Sequence, residues 1–411
     1  MMPFNLFYLS VISILVFVFV MFNLIFTFSK SKENVYYWLP LIFLLFLVLA
    51  SSWWIDDLAL QWVLIEASTL VGSILISMSR TEKSIDVAWK FLLLNSFGLG
   101  VAFLGLIILS YGVHATGTMN PNEFLLLIPK HRNLLVKAGL WLTVFGYSTK
   151  LGLFPNHFWV SDTYAESPSQ ISAMISSMIP ASVCVALRNL IRMDAILDAD
   201  KTAILNASDG LMILGVLTMV YSLFTIFQTT DIRRITGQLA LFHSGGMAAF
   251  VCLNPNDSIF YFMIAANVIV KALIFSAMGV IRIDLGTRNL SKLNSENGAN
   301  KLSSILYIVS LGMAFIIPVS PFFLTDVLFI KTGLAQHRYW ILLIPILSVI
   351  FFAVCLNKFL PILDMRSRKF HGHDEDVLMM RTVFTFFLLG LGIMAGIYGL
   401  FLFSMGGFEN V

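Results

Sequence analysis

Four ionisable residues sit inside stretches that are otherwise apolar enough to cross a membrane: Glu66 in LQWVLIEASTLVGSILISM, Lys150 in LWLTVFGYSTKLGLF, Lys271 in AANVIVKALIFSAMGVI and Asp326 in PFFLTDVLFI. A charge in hydrocarbon is costly even with snorkelling, so such residues face a protein interior and mark an ion or proton path. A lysine in a dry interior gives up its proton readily, and a nearby carboxylate makes it hold on. Moving the carboxylate or its proton therefore switches the lysine. Glu66 with Lys150 could form one such pair and Lys271 with Asp326 a second. His243, in TGQLALFHSGGMAAF, adds a third titratable type between them. The plainer alternatives are structural ion pairs, helix-end residues that snorkel to the interface, a hydrogen-bonded core histidine, and an Asp326 that caps the segment after a helix break.

These charges need elements that hold them in the bilayer interior. The chain has 411 residues, 58% hydrophobic and 12% charged, with a mean hydropathy of +0.87, which no ordinary soluble domain approaches. A helical span needs about 20 apolar residues. Such runs occur near 5–28, 37–54, 58–79, 89–111, 134–153, 169–191, 209–228, 235–253, 258–281, 304–330, 339–360 and 382–404. The expected fold is all-α, a polytopic membrane helical bundle of about twelve transmembrane helices. Continuous runs rich in Leu, Phe and Ile argue against the alternating pattern of a β-barrel. The first run has no basic region before it and no small-residue cleavage site, so it is expected to be a retained span.

Two segments carry matching interruptions. Gly152 and Pro155 follow Lys150, while Pro318 and Pro321 precede Asp326, so each helix should break beside its charge. Paired broken helices in the two halves of a transporter point to its ion site, because unwound backbone there must line a polar cavity. The expected organisation is a single membrane domain, 1–411: N-terminal helices (1–57), two inverted-repeat halves (58–191 and 209–361) and a C-terminal loop and helix (362–411).

Other chemistries find little support. Cys184, Cys252 and Cys355 are isolated, and no CxxC or Cys/His cluster is present to hold an iron–sulfur centre, haem or zinc. Neither a metal nor a cofactor is expected, and in a redox assembly the electrons would travel in another subunit. The HGHDED tract at 371–376 has metal-binding composition, but a solvated loop is the better reading. No nucleotide-binding glycine loop or nucleophile elbow stands out, which argues against an enzyme acting alone. Threading twelve spans from an external N-terminus puts fourteen lysines and arginines in the loops of one face, from Lys30 to Arg381, and seven on the other, from Lys130 to Arg338. That bias places both termini on the non-cytoplasmic face and makes the net charge of +3 an orientation signal; nothing suggests a nucleic-acid partner.

The stretch GYSTKLGLFPNHFWVSDTYAESPSQISAMIS (146–176) closely resembles the signature of antiporter-like subunits in respiratory complex I, the cation/proton antiporter complexes and the group 4 membrane-bound hydrogenases. AWKFLLLNSFG (88–98), DIRRITGQLALFHSGG (231–246), VIVKALIFSAMG (268–279) and LGTRNL (285–290) fit as well, and AWKF and LGTRNL look most similar to the hydrogenase-4 type of large subunit. The resemblance covers about 58–335. It implies Glu66 and Lys150 as first-half acid and base, His243 as a central relay, Lys271 as second-half lysine and Asp326 as terminal acid, with His157 in a structural or gating position. It also implies three departures. The family often has a further lysine where this chain has Pro180 and Ala181; its WLPDAH has become WVSDTY, with Ser161 and Tyr164; and fewer spans flank the core, as in a shortened or specialised member.

The function expected from this resemblance is proton translocation by an antiporter-like subunit of a multisubunit membrane complex in the cell (inner) membrane. Chemistry in other membrane and peripheral subunits would drive it, so any translocase label belongs to the assembly. Na⁺/H⁺ antiport, supply of proton-motive force to an inorganic-carbon uptake partner, and a structural scaffold with a decayed channel stay open as alternatives.

Overall fold

Backbone groups in hydrocarbon must be satisfied within their own segment, and long apolar runs meet that demand as helices. The computed structural model describes residues 4–29, 38–115, 119–130, 134–197, 206–293, 298–364 and 373–404. Its α-helices are α1 (Phe4–Ser29), α2 (Leu39–Ser51), α3 (Leu58–Ile76), α4 (Glu82–Gly112), α5 (Pro121–Leu127), α6 (Leu134–Leu151), α7 (Phe158–Glu166), α8 (Ser169–Leu197), α9 (Ala207–Gln228), α10 (Ile232–Val251), α11 (Asp257–Leu285), α12 (Lys301–Met313), α13 (Pro321–Ala335), α14 (Leu343–Phe359) and α15 (His373–Ser404). Among the described residues no strand forms, and Asp231 and Asn289 make an isolated bridge.

Among the described residues, eight helical segments are each long and apolar enough to cross a membrane. Every expected apolar run contains a helix, and α6 with α7 and α12 with α13 make two broken pairs. Helix starts are fixed by short polar side chains. The Asp57 carboxylate accepts from the Ala59 and Leu60 amides at 2.9 Å, Asp231 caps α10, and Thr81 and Ser84 form a capping box on α4. The last helix begins earlier than the expected 382. His373–Asp376 form its first turn, so that part of the HGHDED tract is helix and not loop, while His371 and Gly372 lie outside the described residues.

Two helices, α8 and α11, are buried throughout their apolar windows and pack against each other at the centre. A helix apolar on all sides belongs there, whereas its neighbours keep an apolar face for lipid. On α4, for example, Trp89, Leu93 and Phe97 are exposed. Helices α1 and α15 pack together against α11, joined by ring contacts such as Tyr8–Tyr398 at 5.1 Å and Phe19–Phe387 at 5.5 Å.

The tightest helix pair positions the first charged site. Gly98, Gly105 and Gly112 recur every seventh residue on α4 and face Gly146, Gly139 and Val136 of α6 in turn. A Cβ at Gly105 would meet the Thr143 amide and the Gly139 carbonyl, and one at Gly146 would meet the Ala102 amide and the Gly98 carbonyl. The two backbones therefore touch, as small residues permit when lipid offers no hydrophobic driving force between helices. Gly105→Leu should force α4 and α6 apart and cost roughly 2 kcal/mol or more. Thermal unfolding of the detergent-solubilised protein tests this against Gly100→Ala, whose Cβ meets nothing within 4 Å; equal melting would disprove backbone contact as the determinant.

Candidate functional site

Lys150 occupies the last turn of α6, just before the helix breaks, and its side chain is wholly buried. Gly152 ends the helix with φ +75°, and a Cβ there would collide with Val160. The loosened backbone is satisfied locally. The Leu153 amide reaches the Ser148 carbonyl at 3.0 Å, the Phe154 amide reaches Thr218 Oγ1 of α9 at 2.8 Å, and the Trp159 indole reaches the Thr149 carbonyl at 3.1 Å. Pro155 lies exposed in this turn.

The Lys150 ammonium donates to Thr69 Oγ1 at 2.7 Å and lies 5.0 Å from the centre of the Phe91 ring. The Thr69 hydroxyl in turn donates to Glu66 Oε2 at 3.3 Å, and Ser96 Oγ donates to Glu66 Oε1 at 2.6 Å. Glu66 and Thr69 lie three residues apart on α3 and so share one face. Base and acid are thus connected through a hydroxyl rather than a direct ion pair. A hydroxyl so placed can accept one proton from the ammonium side while passing its own to the carboxylate.

The second half is arranged differently. Lys271, also wholly buried, donates to Ser244 Oγ at 3.1 Å, and that hydroxyl donates to the Ala240 carbonyl at 3.0 Å. Lys271 and Asp326 form no ion pair, contrary to the pairing expected from sequence. Asp326 instead shares a cavity of about 30 Å³ with His243, Thr325 and Ser348, enough for about one or two waters. His243 is stacked on Phe322, with ring centroids 4.3 Å apart, and neither ring nitrogen has a hydrogen-bond partner. Asp326 is not a cap: Ser320 starts α13, accepting from the Phe322 amide at 3.1 Å while its hydroxyl donates to the Met313 carbonyl of α12. Pro321 is buried at the first turn and Pro318 is exposed in the break. The break rests on α15, where a Cβ at Gly396 would meet the Val319 carbonyl.

The expected bridging lysine is absent from α8, and a different polar contact stands there. Pro180 lies inside the helix and removes a backbone donor. One turn earlier, the Ser177 carbonyl accepts from Asn267 Nδ2 at 2.9 Å. Asn267 lies four residues before Lys271 and shares its face of α11. Its Oδ1 is buried without a partner, which leaves one acceptor on the lysine's face of the helix. His157 sits apart from these groups, caged by Phe154, Phe158 and Tyr221 with ring centroids 5.7, 4.4 and 3.9 Å away.

Sequence reading thus located the charges but missed Thr69, Ser96, Ser244 and Asn267, the polar groups that accompany them. The usable signal was helical spacing, since Thr69 is three residues from Glu66 and Asn267 four from Lys271. The LGTRNL segment is a structural tie, in which Arg288 bonds Glu166 at 3.0 Å and Asp231 at 3.2 Å and so links the end of α7 to the start of α10. Among the described residues no three His, Cys, Asp or Glu side chains come together to hold a metal ion.

Residues 55–351 match the family model described as NADH:quinone oxidoreductase/Mrp antiporter, transmembrane. The chain is similar to the hydrogenase-4 component F homolog of Methylacidiphilum infernorum, 28% identical over 195 residues, covering 46% of this chain and 40% of that protein. It is similar also to a Na⁺/H⁺ antiporter subunit of Alkalihalophilus pseudofirmus, 26% identical over 310 residues, 72% of this chain and 59% of that protein. The chain therefore spans less than two thirds of either relative. Its fold matches a chain in the structure of an archaeal respiratory membrane complex, the membrane-bound sulfane sulfur reductase, with TM-score 0.79 and 19% identity, covering 96% of this chain and 80% of that one.

Thr69→Val keeps the side chain's shape but removes the hydroxyl that accepts from the Lys150 ammonium. It should destabilise the protein by about 1–3 kcal/mol, and much less in a Lys150→Met background. A double-mutant cycle on thermal unfolding measures the coupling; additive losses would mean that the hydroxyl does not bear on the lysine.

Proposed function

The chain belongs to the NADH:quinone oxidoreductase/Mrp antiporter transmembrane family, and on that premise we propose that it translocates protons as an antiporter-like subunit of a multisubunit membrane complex. The observation that carries this reading is the hydrogen-bonded series Lys150, Thr69, Glu66, Ser96, built around a wholly buried lysine. In the transfer step an Nζ proton passes to Thr69 Oγ1 as the threonine proton passes to Glu66. Neutral lysine and protonated glutamate replace the ammonium and carboxylate, so no net charge enters the hydrocarbon.

In the second half, Lys271 exchanges protons with Ser244, and beyond the next residue, His243, the path continues to Asp326 through the cavity that His243 and Asp326 share. Where Pro180 and Ala181 stand in place of a lysine, the Asn267 bond to the Ser177 carbonyl joins α11 to α8 beside Lys271. The two halves, 58–191 and 209–361, act as two half-channels, and His157 and the breaks at Pro155, Pro318 and Pro321 shape their mouths. Partner subunits supply the driving reaction and perturb one end of this chain of groups. The basic face lies toward the cytoplasm of the inner membrane and both termini lie on the opposite side.

Sodium is the competing ion, since Glu66 collects two hydroxyl oxygens that would suit it. The ammonium 2.7 Å from Thr69 disfavours a cation there, which favours protons.

Reconstituted with its complex, Lys150→Ala or Lys271→Ala should cut proton pumping at least about tenfold while the driving reaction continues. Lys150→Arg should fail as well, because a guanidinium holds its proton throughout. Unchanged pumping in these variants rules the pathway out. Replacing Na⁺ by K⁺ should leave the flux unaltered, and a flux that collapses identifies sodium instead.

A further inference from the structure

A pocket of about 320 Å³ opens at the end of the bundle where α8, α10 and α15 begin and α11 ends. Arg233, Arg282, Arg288 and Arg381 line it, and Glu166 is the carboxylate among them. Glu166 is already engaged by Arg288, which Asp231 also holds. Arg233 is 6% exposed; one of its terminal nitrogens bonds the Ser167 carbonyl, but its Nε is buried without a partner. Neither Arg233 nor Arg282 forms an ion pair among the described residues.

The N-terminus of α8, a helix of 29 residues, faces the same space through Pro168, Ser169 and Gln170. Its first amides have no intrahelical acceptor, and its dipole adds positive potential. Gly279 of α11 keeps the cradle open: a Cβ there would stand 2.6 Å from Ser169 Oγ and 3.4 Å from Arg381 Nη1. Guanidinium groups crowded into a half-buried site repel one another unless an anion joins them. Forked guanidinium donors together with a helix N-terminus suit a tetrahedral oxyanion with several acceptor oxygens. The pocket also lies at the ends of spanning helices, the level of lipid headgroups.

We infer that this arginine pocket binds a phosphate oxyanion, carried either by an anionic phospholipid headgroup or by free phosphate. The anion completes the junction of α7, α8, α10, α11 and α15, holding the start of central α8 in place.

The test uses the full chain purified in neutral detergent, with its melting temperature followed as sodium phosphate, phosphatidylglycerol, phosphatidylcholine or sodium chloride is added. Phosphatidylglycerol should raise the melting temperature by several degrees, and phosphatidylcholine and chloride should not. A rise with inorganic phosphate too identifies the free anion as sufficient, and a rise with phosphatidylglycerol alone assigns the site to the headgroup. Arg282→Gln, at an exposed position, should weaken the apparent affinity about tenfold. Arg234→Gln should leave it unchanged, because Arg234 pairs with Asp162 outside this pocket at 2.9 Å. No response to either phosphate source beyond that of chloride overturns the proposal, and so does an unaltered response in Arg282→Gln.

Discussion

The bond between the Lys150 ammonium and the Thr69 hydroxyl sets the terms for the first half of the molecule. An ammonium without water needs an acceptor, and an acceptor that also reaches a carboxylate lets charge be passed on instead of stored. Three helices must meet within hydrogen-bonding distance for this: α3 brings Thr69 and Glu66, α4 brings Ser96 and Phe91, and α6 brings the lysine. The glycine contacts between α4 and α6 and the Gly152 turn both follow from that requirement, since bulk at either place would move the lysine from its partner.

The second half meets the same requirement by other means. Its lysine sits mid-way along α11, wholly enclosed, and is served by Ser244 rather than by an acid. Its acid and its histidine face a small cavity, so the connection there depends on solvent content and not on a fixed series of side chains. On the proposed reading, one half is wired through protein hydroxyls and the other through a space that water can enter. The two therefore differ in how readily they can be interrupted, even though each contains a broken helix.

Much of this was legible in the sequence because the informative residues violate their surroundings. Lys150 and Lys271 stand out against apolar runs, and Gly152, Pro155, Pro318 and Pro321 stand out in helical segments, so the spans and the breaks could be placed. The 146–176 stretch did the rest. Thr69, Ser96 and Ser244 were not legible in the same way, because hydroxyl residues are ordinary in membrane helices and only packing chooses which of them faces a charge. The assumed pairing of Lys271 with Asp326 failed for a related reason, since sequence order does not say which helix faces which. Arg282 and Arg381 contributed to the sequence reading only as an orientation bias, and Arg233 besides that only as part of the 231–246 resemblance; they come from separate segments and meet only in the folded bundle. The seven-residue glycine repeat on α4 was visible in the sequence, and the period alone would have identified a contact face.

That repeat has a mechanical consequence. Backbones in contact at Gly105, Gly139 and Gly146 leave no side-chain layer to act as a bearing, so α4 and α6 behave as one stator. On the proposed reading, any movement of the Lys150 ammonium then comes from the rotatable bonds of its own side chain, or from the α7 segment beyond Gly152. In the proposed transfer the lysine is an arm on a fixed post, and it can deliver a proton only as far as its own side chain reaches.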